Sequence, residues 1–334
     1  MGSIEVLPWQ KALASATRTV PELLQRLSLS SEQLNDDVDT RSDFVLRVTD
    51  HYLSLMTPGD PSDPLLRQVL PLKCERDRTP GFVEDPLLEV PASARPGILH
   101  KYRGRVLLIL TQACAIHCRY CFRRNFPYNA HQQSGADWLT SLDYVRQDTS
   151  IQEVILSGGD PLLRTDTQLE SLFSAIEAIP HVRRLRIHTR LPVVLPERFT
   201  PGLCQRLGDS RMKVVLVNHA NHPNELDDRS ATVFRHLRAA GVTLLNQTVL
   251  LRGINDDPDT LSALCEKLFE QGMLPYYLHL TDRVRGTAHF YLSRDEAMPL
   301  YQALMSRLPG YLVPKLAEEI PGRPSKTWWT PNIG

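Results

Sequence analysis

The rhythm of apolar and polar positions changes once along this chain, near Gly104. Beyond it, short apolar runs alternate with longer amphipathic stretches. The runs Arg105–Leu110, Glu153–Leu156, Leu185–His188, Lys213–Val217, Val242–Val249 and Pro275–Leu280 predict strands. Apolar residues at three- and four-residue spacing predict helices over Asp137–Gln147, Thr167–Ala178, Pro201–Leu207, Asp228–Ala240, Pro258–Gln271 and Arg294–Ser306. Six strand–helix units in register predict a parallel sheet with helical crossovers. Six are too few for a closed eightfold barrel, so the pattern suits a partial barrel or an open doubly wound sheet.

Before Gly104 the pattern is weaker. VPELLQRLSL and DDVDTRSDFVLRVTDHYLSLM carry helical spacing. The proline-rich stretch from Thr57 to Gly97 reads as an extended connector. Residues 1–97 are therefore expected to form a helical and extended cap, 98–310 the core, and 311–334 a short C-terminal segment.

Polar residues collect where each strand should end. After the first comes CAIHCRYC, residues 114–121, and after the second Ser157-Gly158-Gly159-Asp160. The next ends carry His188-Thr189-Arg190, Asn218-His219, then Asn246, Gln247 and Arg252, and finally Asp282. Parallel strand–helix folds place their active sites at the carboxyl ends of the strands, so this rim is the expected site.

Composition narrows the class. Lysine plus arginine equals aspartate plus glutamate, at 38 each in 334 residues, which leaves no global basic footprint for nucleic acid. The N-terminal stretch has no signal-peptide pattern, and no apolar run approaches the roughly 20 residues that span a bilayer. A soluble cytoplasmic protein is expected, in which clustered cysteines are metal ligands or catalytic groups rather than disulfides. Cys74, Cys204 and Cys265 stand apart and read as small buried hydrophobes.

Cys114, Cys118 and Cys121 are the candidate metal ligands. A zinc site could add His117 as a fourth ligand. An ordinary iron–sulfur carrier needs a fourth cysteine, and none is near. The remaining option is a four-iron cluster held by three thiolates, with one iron open as in catalytic metal sites.

CxxxCxxC followed by a Gly-Gly turn after the next strand resembles the radical S-adenosylmethionine (SAM) superfamily. HKYRGRVLLILTQAC, CFRR, LSGGDPLL, RIHTRLPVVLP, NHPNE, NQTVLLRGIND and PYYL resemble its lysine 2,3-aminomutase family over residues 95 to 334. The resemblance implies an α/β fold: a partial (β/α)6 radical SAM barrel with an N-terminal helical extension and a short C-terminal pyridoxal phosphate (PLP)-binding segment. It implies an isomerase using a [4Fe-4S] cluster, SAM and PLP. A SAM-derived radical takes a hydrogen from the β-carbon of L-lysine, and nitrogen moves from the α- to the β-carbon.

Site roles follow from the same resemblance. Lys326, after Pro321-Gly322-Arg323-Pro324-Ser325, matches the PLP lysine, although the family loop is all glycine there. Lys101, Tyr102 and Arg105 match a phosphate-binding group, with lysine in place of its first arginine. Ser157, Gly158, Gly159 and Asp160 match the segment that contacts the methionyl amino group of SAM. His219, Asn221, Gln247, Arg252 and Asn255 fall in matching segments and are expected in the cofactor pocket. Arg123 matches the ligand of the substrate carboxylate. Asp282 and Glu319 match two aspartates that hold the substrate ε-ammonium, Glu319 being one methylene longer. His188 and His279 read equally well as core histidines.

The ending near Lys326, the glutamate at 319 and PSKTWW resemble the short branch of the family. That branch supplies (R)-β-lysine to the ligase that modifies translation elongation factor P. The implied partners are L-lysine, a reductant protein such as flavodoxin or ferredoxin, and through the product that ligase. Neither nucleic acid nor membrane is expected, and assembly into a homo-oligomer stays open. Four alternatives also remain open: a catabolic lysine 2,3-aminomutase, an aminomutase for another amino acid, a non-catalytic iron–sulfur or zinc protein, and a PLP enzyme without radical chemistry.

Overall fold

The computed structural model describes residues 7–35, 37–127 and 137–331. The first six residues of the expected cap and the last three of the C-terminal segment lie outside the described residues. Ten strands form one sheet in sequential order: β1 Ser93–Arg95, β2 Ile98–Tyr102, β3 Arg105–Thr111, β4 Glu153–Gly158, β5 Arg184–Thr189, β6 Lys213–His219, β7 Thr243–Val249, β8 Leu274–His279, β9 Lys315–Glu318 and β10 Thr327–Trp328. β3 to β9 run parallel, and the pairs at either end of the order are antiparallel. All six expected strand–helix units are present, and β9 adds a seventh parallel strand after the last helix. The sheet therefore crosses both boundaries expected from sequence, at 97 and at 310.

The sheet is curled. Lys101 of β2 and Glu319, just beyond β9, are 2.9 Å apart. Seven flat strand spacings would separate these strands by about 34 Å. Closing that gap turns the sheet into a partial barrel and gathers the strand ends around one interior.

The helices start where sequence chemistry dictates. Asp227, Asp257 and Thr165 each accept a backbone N–H of the following first turn, at 2.9, 2.8 and 3.3 Å. Their apolar stripes, such as Leu169, Leu172, Phe173 and Ile176, pack against the alternate residues of the sheet's outer face in a large core, with a second cluster that includes Leu261 and Cys265 toward the last strands. The inner face keeps the polar residues.

One helical reading is corrected. In DDVDTRSDFVLRVTDHYLSLM the helix covers only Asp50–Ser54. Upstream, Val38 bridges Leu72 and Val48 bridges Thr17, both antiparallel. Asp39 accepts the Arg41 N–H at 2.9 Å, and the Ser42 hydroxyl donates to the Phe44 carbonyl at 3.2 Å. Such local side-chain bonds compete with helix formation. Among the described residues, no helix is long and apolar enough to cross a membrane.

Candidate active site

The loop after β3 carries Cys114, Cys118 and Cys121 as free thiols, all partly buried. It is stitched to the end of β4. The Gly159 N–H donates to the Thr111 carbonyl at 2.6 Å, and the Asp160 N–H to the Ala113 carbonyl at 2.8 Å. Only glycines allow this approach. A Cβ at Gly158 would lie 2.6 Å from the Thr111 oxygen, and one at Gly159 would lie 2.3 Å from the Ala113 oxygen. The Gly-Gly turn thus has a packing role: it sets the height at which the cysteine loop leaves the sheet. Asp160 is buried and tied inward, accepting from the Thr189 hydroxyl at 2.8 Å and the Arg190 N–H at 2.9 Å. Burial raises its carboxyl to about 6, against the pull of those bonds. These contacts bind the end of β4 to β5.

The thiols suit a polynuclear metal group. Burial pushes the Cys114 and Cys121 thiols up, Cys121 to about 11, and the other loop cysteines add to the effect. Three thiolates in this space need a cationic centre. His117 is held beside the cysteines, its Nδ1 2.7 Å from the Val45 carbonyl and its ring stacked on Phe44. Among the described residues, no three His, Cys, Asp or Glu side chains converge tightly enough to hold one metal ion. Three sulfur donors on one loop are the donor set of a cluster that keeps one iron open.

Arg190 was legible in sequence only as a polar strand end. It donates to the Cys118 sulfur at 2.6 Å and to Glu225 and Gln68 at 2.7 Å, with the Tyr52 hydroxyl at 3.0 Å. Tyr120 continues this buried network, its hydroxyl 2.8 Å from His219 Nε2. Burial holds the His219 imidazole down at about 3, so it is neutral there. His188 and His279 are also pushed well below the usual range, first by burial and then by nearby cations including Lys326. The buried Nε2 of His188 has no hydrogen-bond partner among the described residues. Such an orphaned atom inside the barrel is what a bound cofactor would satisfy.

Lys326 reaches the interior from the far end of the chain. β9 and β10 form a hairpin with Thr327 opposite Glu318. The loop turns at Ile320-Pro321-Gly322-Arg323, where the Arg323 N–H donates to the Ile320 carbonyl at 3.2 Å and Gly322 has φ +81°. Proline then glycine is the sequence of a type II turn. The departure from an all-glycine loop is thereby accommodated. Trp329 anchors the hairpin by donating to Glu318 at 3.1 Å and lying under Arg294.

Opposite charges converge on this corner. Glu319 accepts from Lys326 at 2.7 Å and from Lys101 at 2.9 Å. Burial would raise its carboxyl, but the two lysines outweigh that and hold it at about 2. Arg105 covers the Tyr102 ring at 4.7 Å, and Tyr102 is raised by burial and by Glu319. Lys101, Tyr102, Arg105 and Lys326 are thus brought together, and the Lys101 and Arg105 cations suit the phosphate of PLP. Asp282 faces the same corner. Its carboxylate makes no hydrogen bond to a described residue, and burial raises it to about 7 although Lys326 and Lys101 pull it down.

Several expected contacts are engaged elsewhere. Arg123 grips Glu89 in a bidentate pair, at 2.7 and 2.8 Å, and donates to Ser157 at 3.0 Å. Its guanidinium is buried on a carboxylate that the proline-rich connector supplies. Glu319 is the counter-ion of two lysines rather than an open ligand for a substrate ammonium. Asn221 and Asn255 are fully buried and bonded to protein; Asn255 accepts from Leu251 N–H at 2.7 Å and donates to the Asn221 carbonyl at 2.8 Å. Arg252 lies at the surface, paired with Glu296 at 2.7 Å. Only Gln247 and His219 of that group line the interior face, paired in register on neighbouring strands.

Comparison with known proteins agrees with this arrangement. A sequence model of the radical SAM superfamily matches residues 108–264. L-lysine 2,3-aminomutase of Haemophilus influenzae is 47% identical over 319 residues, covering 96% of this chain and 94% of that protein. The protein of that name from Escherichia coli is 47% identical, covering 96% and 93%. The one from Clostridium subterminale is 36% identical, covering 97% of this chain and 78% of its own length. A three-cysteine loop beyond the first parallel strand, a lysine hairpin reaching the same curled interior and this likeness along nearly the whole chain lead to one assignment: the protein belongs to the lysine 2,3-aminomutase family of the radical SAM superfamily.

Proposed function

We propose that the protein converts L-lysine to (R)-β-lysine and so supplies β-lysine for the modification of translation elongation factor P in the cytoplasm. The observation that carries the reaction is one chain of charges, Arg123–Glu89–Lys101–Glu319–Lys326, buried at Arg123 and Glu89 and partly exposed at Lys326, which links the cysteine loop to the lysine hairpin. Family membership supports the chemistry, and the elongation factor P role rests on the likeness of Glu319 and PSKTWW to the short branch.

When bound, the cluster and SAM would supply a carbon radical, and PLP would carry the migrating nitrogen. Cys114, Cys118 and Cys121 would hold the cluster. Lys326 would hold PLP, with Lys101, Tyr102 and Arg105 toward its phosphate. Glu319 keeps Lys101 and Lys326 on one carboxylate and so fixes the hairpin against the sheet. Asp282 is the open carboxylate of this corner, and a cationic side chain such as the ε-ammonium of lysine suits it. Arg123 becomes a ligand for the substrate carboxylate only by loosening its hold on Glu89. The neutral imidazoles of His188, His219 and His279 line the interior without adding positive charge that would repel the substrate.

The test is anaerobic reconstitution with iron, sulfide, SAM, PLP and a reductant, followed by chiral analysis of the products from L-lysine. (R)-β-Lysine is expected. Isomerisation retained by Cys118→Ala would refute the radical route. In the host, deletion of the gene should remove the β-lysyl mass from elongation factor P, and its persistence would refute that part of the proposal.

A further inference from the structure

Outside the barrel, against the cysteine loop, lies a pocket of about 480 Å³. Five arginines line it: Arg41, Arg76, Arg78, Arg124 and Arg285. Three carboxylates, Asp39, Asp43 and Glu75, are set among them. The surface is locally basic on a chain whose formal net charge is zero. Some of these charges are neutralised, since Arg76 pairs with Asp39 at 2.6 Å, Arg124 with Glu75 at 2.7 Å and Arg285 with Glu84 at 3.1 Å. Arg41 and Arg78 are exposed and form no ion pair among the described residues.

The wall of this pocket is shared with the cysteine loop. Phe44 lines the pocket and stacks on His117 at 5.3 Å, while Arg119 and Arg124 cover the same ring at 4.8 and 4.9 Å. His117 and Arg119 stand on either side of Cys118. Anything seated in the pocket is therefore one side chain away from the thiolate loop. An aromatic floor inside a charged rim is also the usual anatomy of a protein-binding patch.

We propose that this pocket docks the acidic flavodoxin-class carrier that reduces the cluster; the proposal rests on the radical SAM reading above. Each encounter passes one electron. The carrier's reduced flavin is oxidised by one electron, and the cluster is reduced by one. Electron transfer falls off steeply with distance, so a productive partner must dock where the loop nears the surface. Arg41 and Arg78 steer an acidic partner there, and their long-range attraction acts on the association rate.

The experiment uses full-length protein loaded with its cluster, without lysine. Bleaching of the cluster is followed by stopped flow, with photoreduced flavodoxin as one donor and dithionite as the other. In Arg41→Glu/Arg78→Glu the flavodoxin rate should fall about tenfold at low salt, while the dithionite rate is unchanged. The gap to wild type should close as salt rises, because exposed charges are screened. Arg41→Gln/Arg78→Gln should show a smaller loss of the same kind. An unchanged flavodoxin rate would overturn the proposal, as would an equal fall with both donors. If the reconstituted wild-type protein holds no iron–sulfur cluster that either donor bleaches, the radical SAM reading falls, and the docking proposal with it.

Discussion

Asp282 is an acid that burial keeps protonated until about pH 7. Below that pH it is neutral and holds a substrate ammonium poorly; above it the carboxylate is charged. Lysine binding should therefore tighten as pH rises from about 6 to about 8. Asp282→Asn should flatten that profile and raise KM by about 10- to 100-fold, as loss of a charged hydrogen bond does. Steady-state kinetics across this range check both. Stability runs the other way for this group. Its folded pKa lies above the unfolded one, so the native state holds the extra proton between about pH 4 and about pH 7. The Asp282 contribution to stability accordingly declines as pH rises through that window. Glu319, held at about 2, contributes stability above its usual pKa and loses it as pH falls toward 2. At this scale the cysteine loop was legible from its own spacing, and the places of Lys326 and Asp282 only through the family resemblance, because a lone lysine or aspartate carries no local signature. Glu89 was not, because Arg123 finds it 34 residues upstream in a segment with only connector character.

Among the elements, the Gly-Gly turn is decisive for the cysteine loop. Gly159→Ala places a Cβ 2.3 Å from a backbone oxygen, which no side-chain rotation relieves. Such overpacking costs about 1–3 kcal/mol and should displace the loop. The expected outcome is a lower Tm and reduced iron per chain after reconstitution. Gly202→Ala is the control, since its nearest neighbour would be the Thr200 hydroxyl at 4.0 Å, and neither quantity should fall. The six strand–helix units were legible because each buries one periodic face. β9, β2 and the two-residue β10 were not. KLAE and ILHKY are too short or too mixed to signal a strand, and they are strands because the sheet edges recruit them.

Across the whole molecule, the N-terminal cap clasps the cysteine loop. Arg119 is fully buried, donates to Glu75 and the Phe44 carbonyl, and Glu75 also pairs with Arg124. Arg47 donates to the Cys114 carbonyl at 3.1 Å. Glu75→Gln would leave a buried guanidinium without its counter-ion, and stability should fall by about 3–5 kcal/mol, read from the midpoint of urea unfolding. The sequence left the cap's purpose open, because apolar spacing carries no information on an ion pair formed across 44 residues. Radical migration within lysine can be followed with L-lysine deuterated at the β-carbon, incubated with SAM and the reconstituted protein. Mass spectrometry of the recovered 5′-deoxyadenosine and SAM should show deuterium at the 5′-carbon alongside β-lysine formation. β-Lysine formed with no label in either molecule would rule out hydrogen abstraction by the SAM-derived radical.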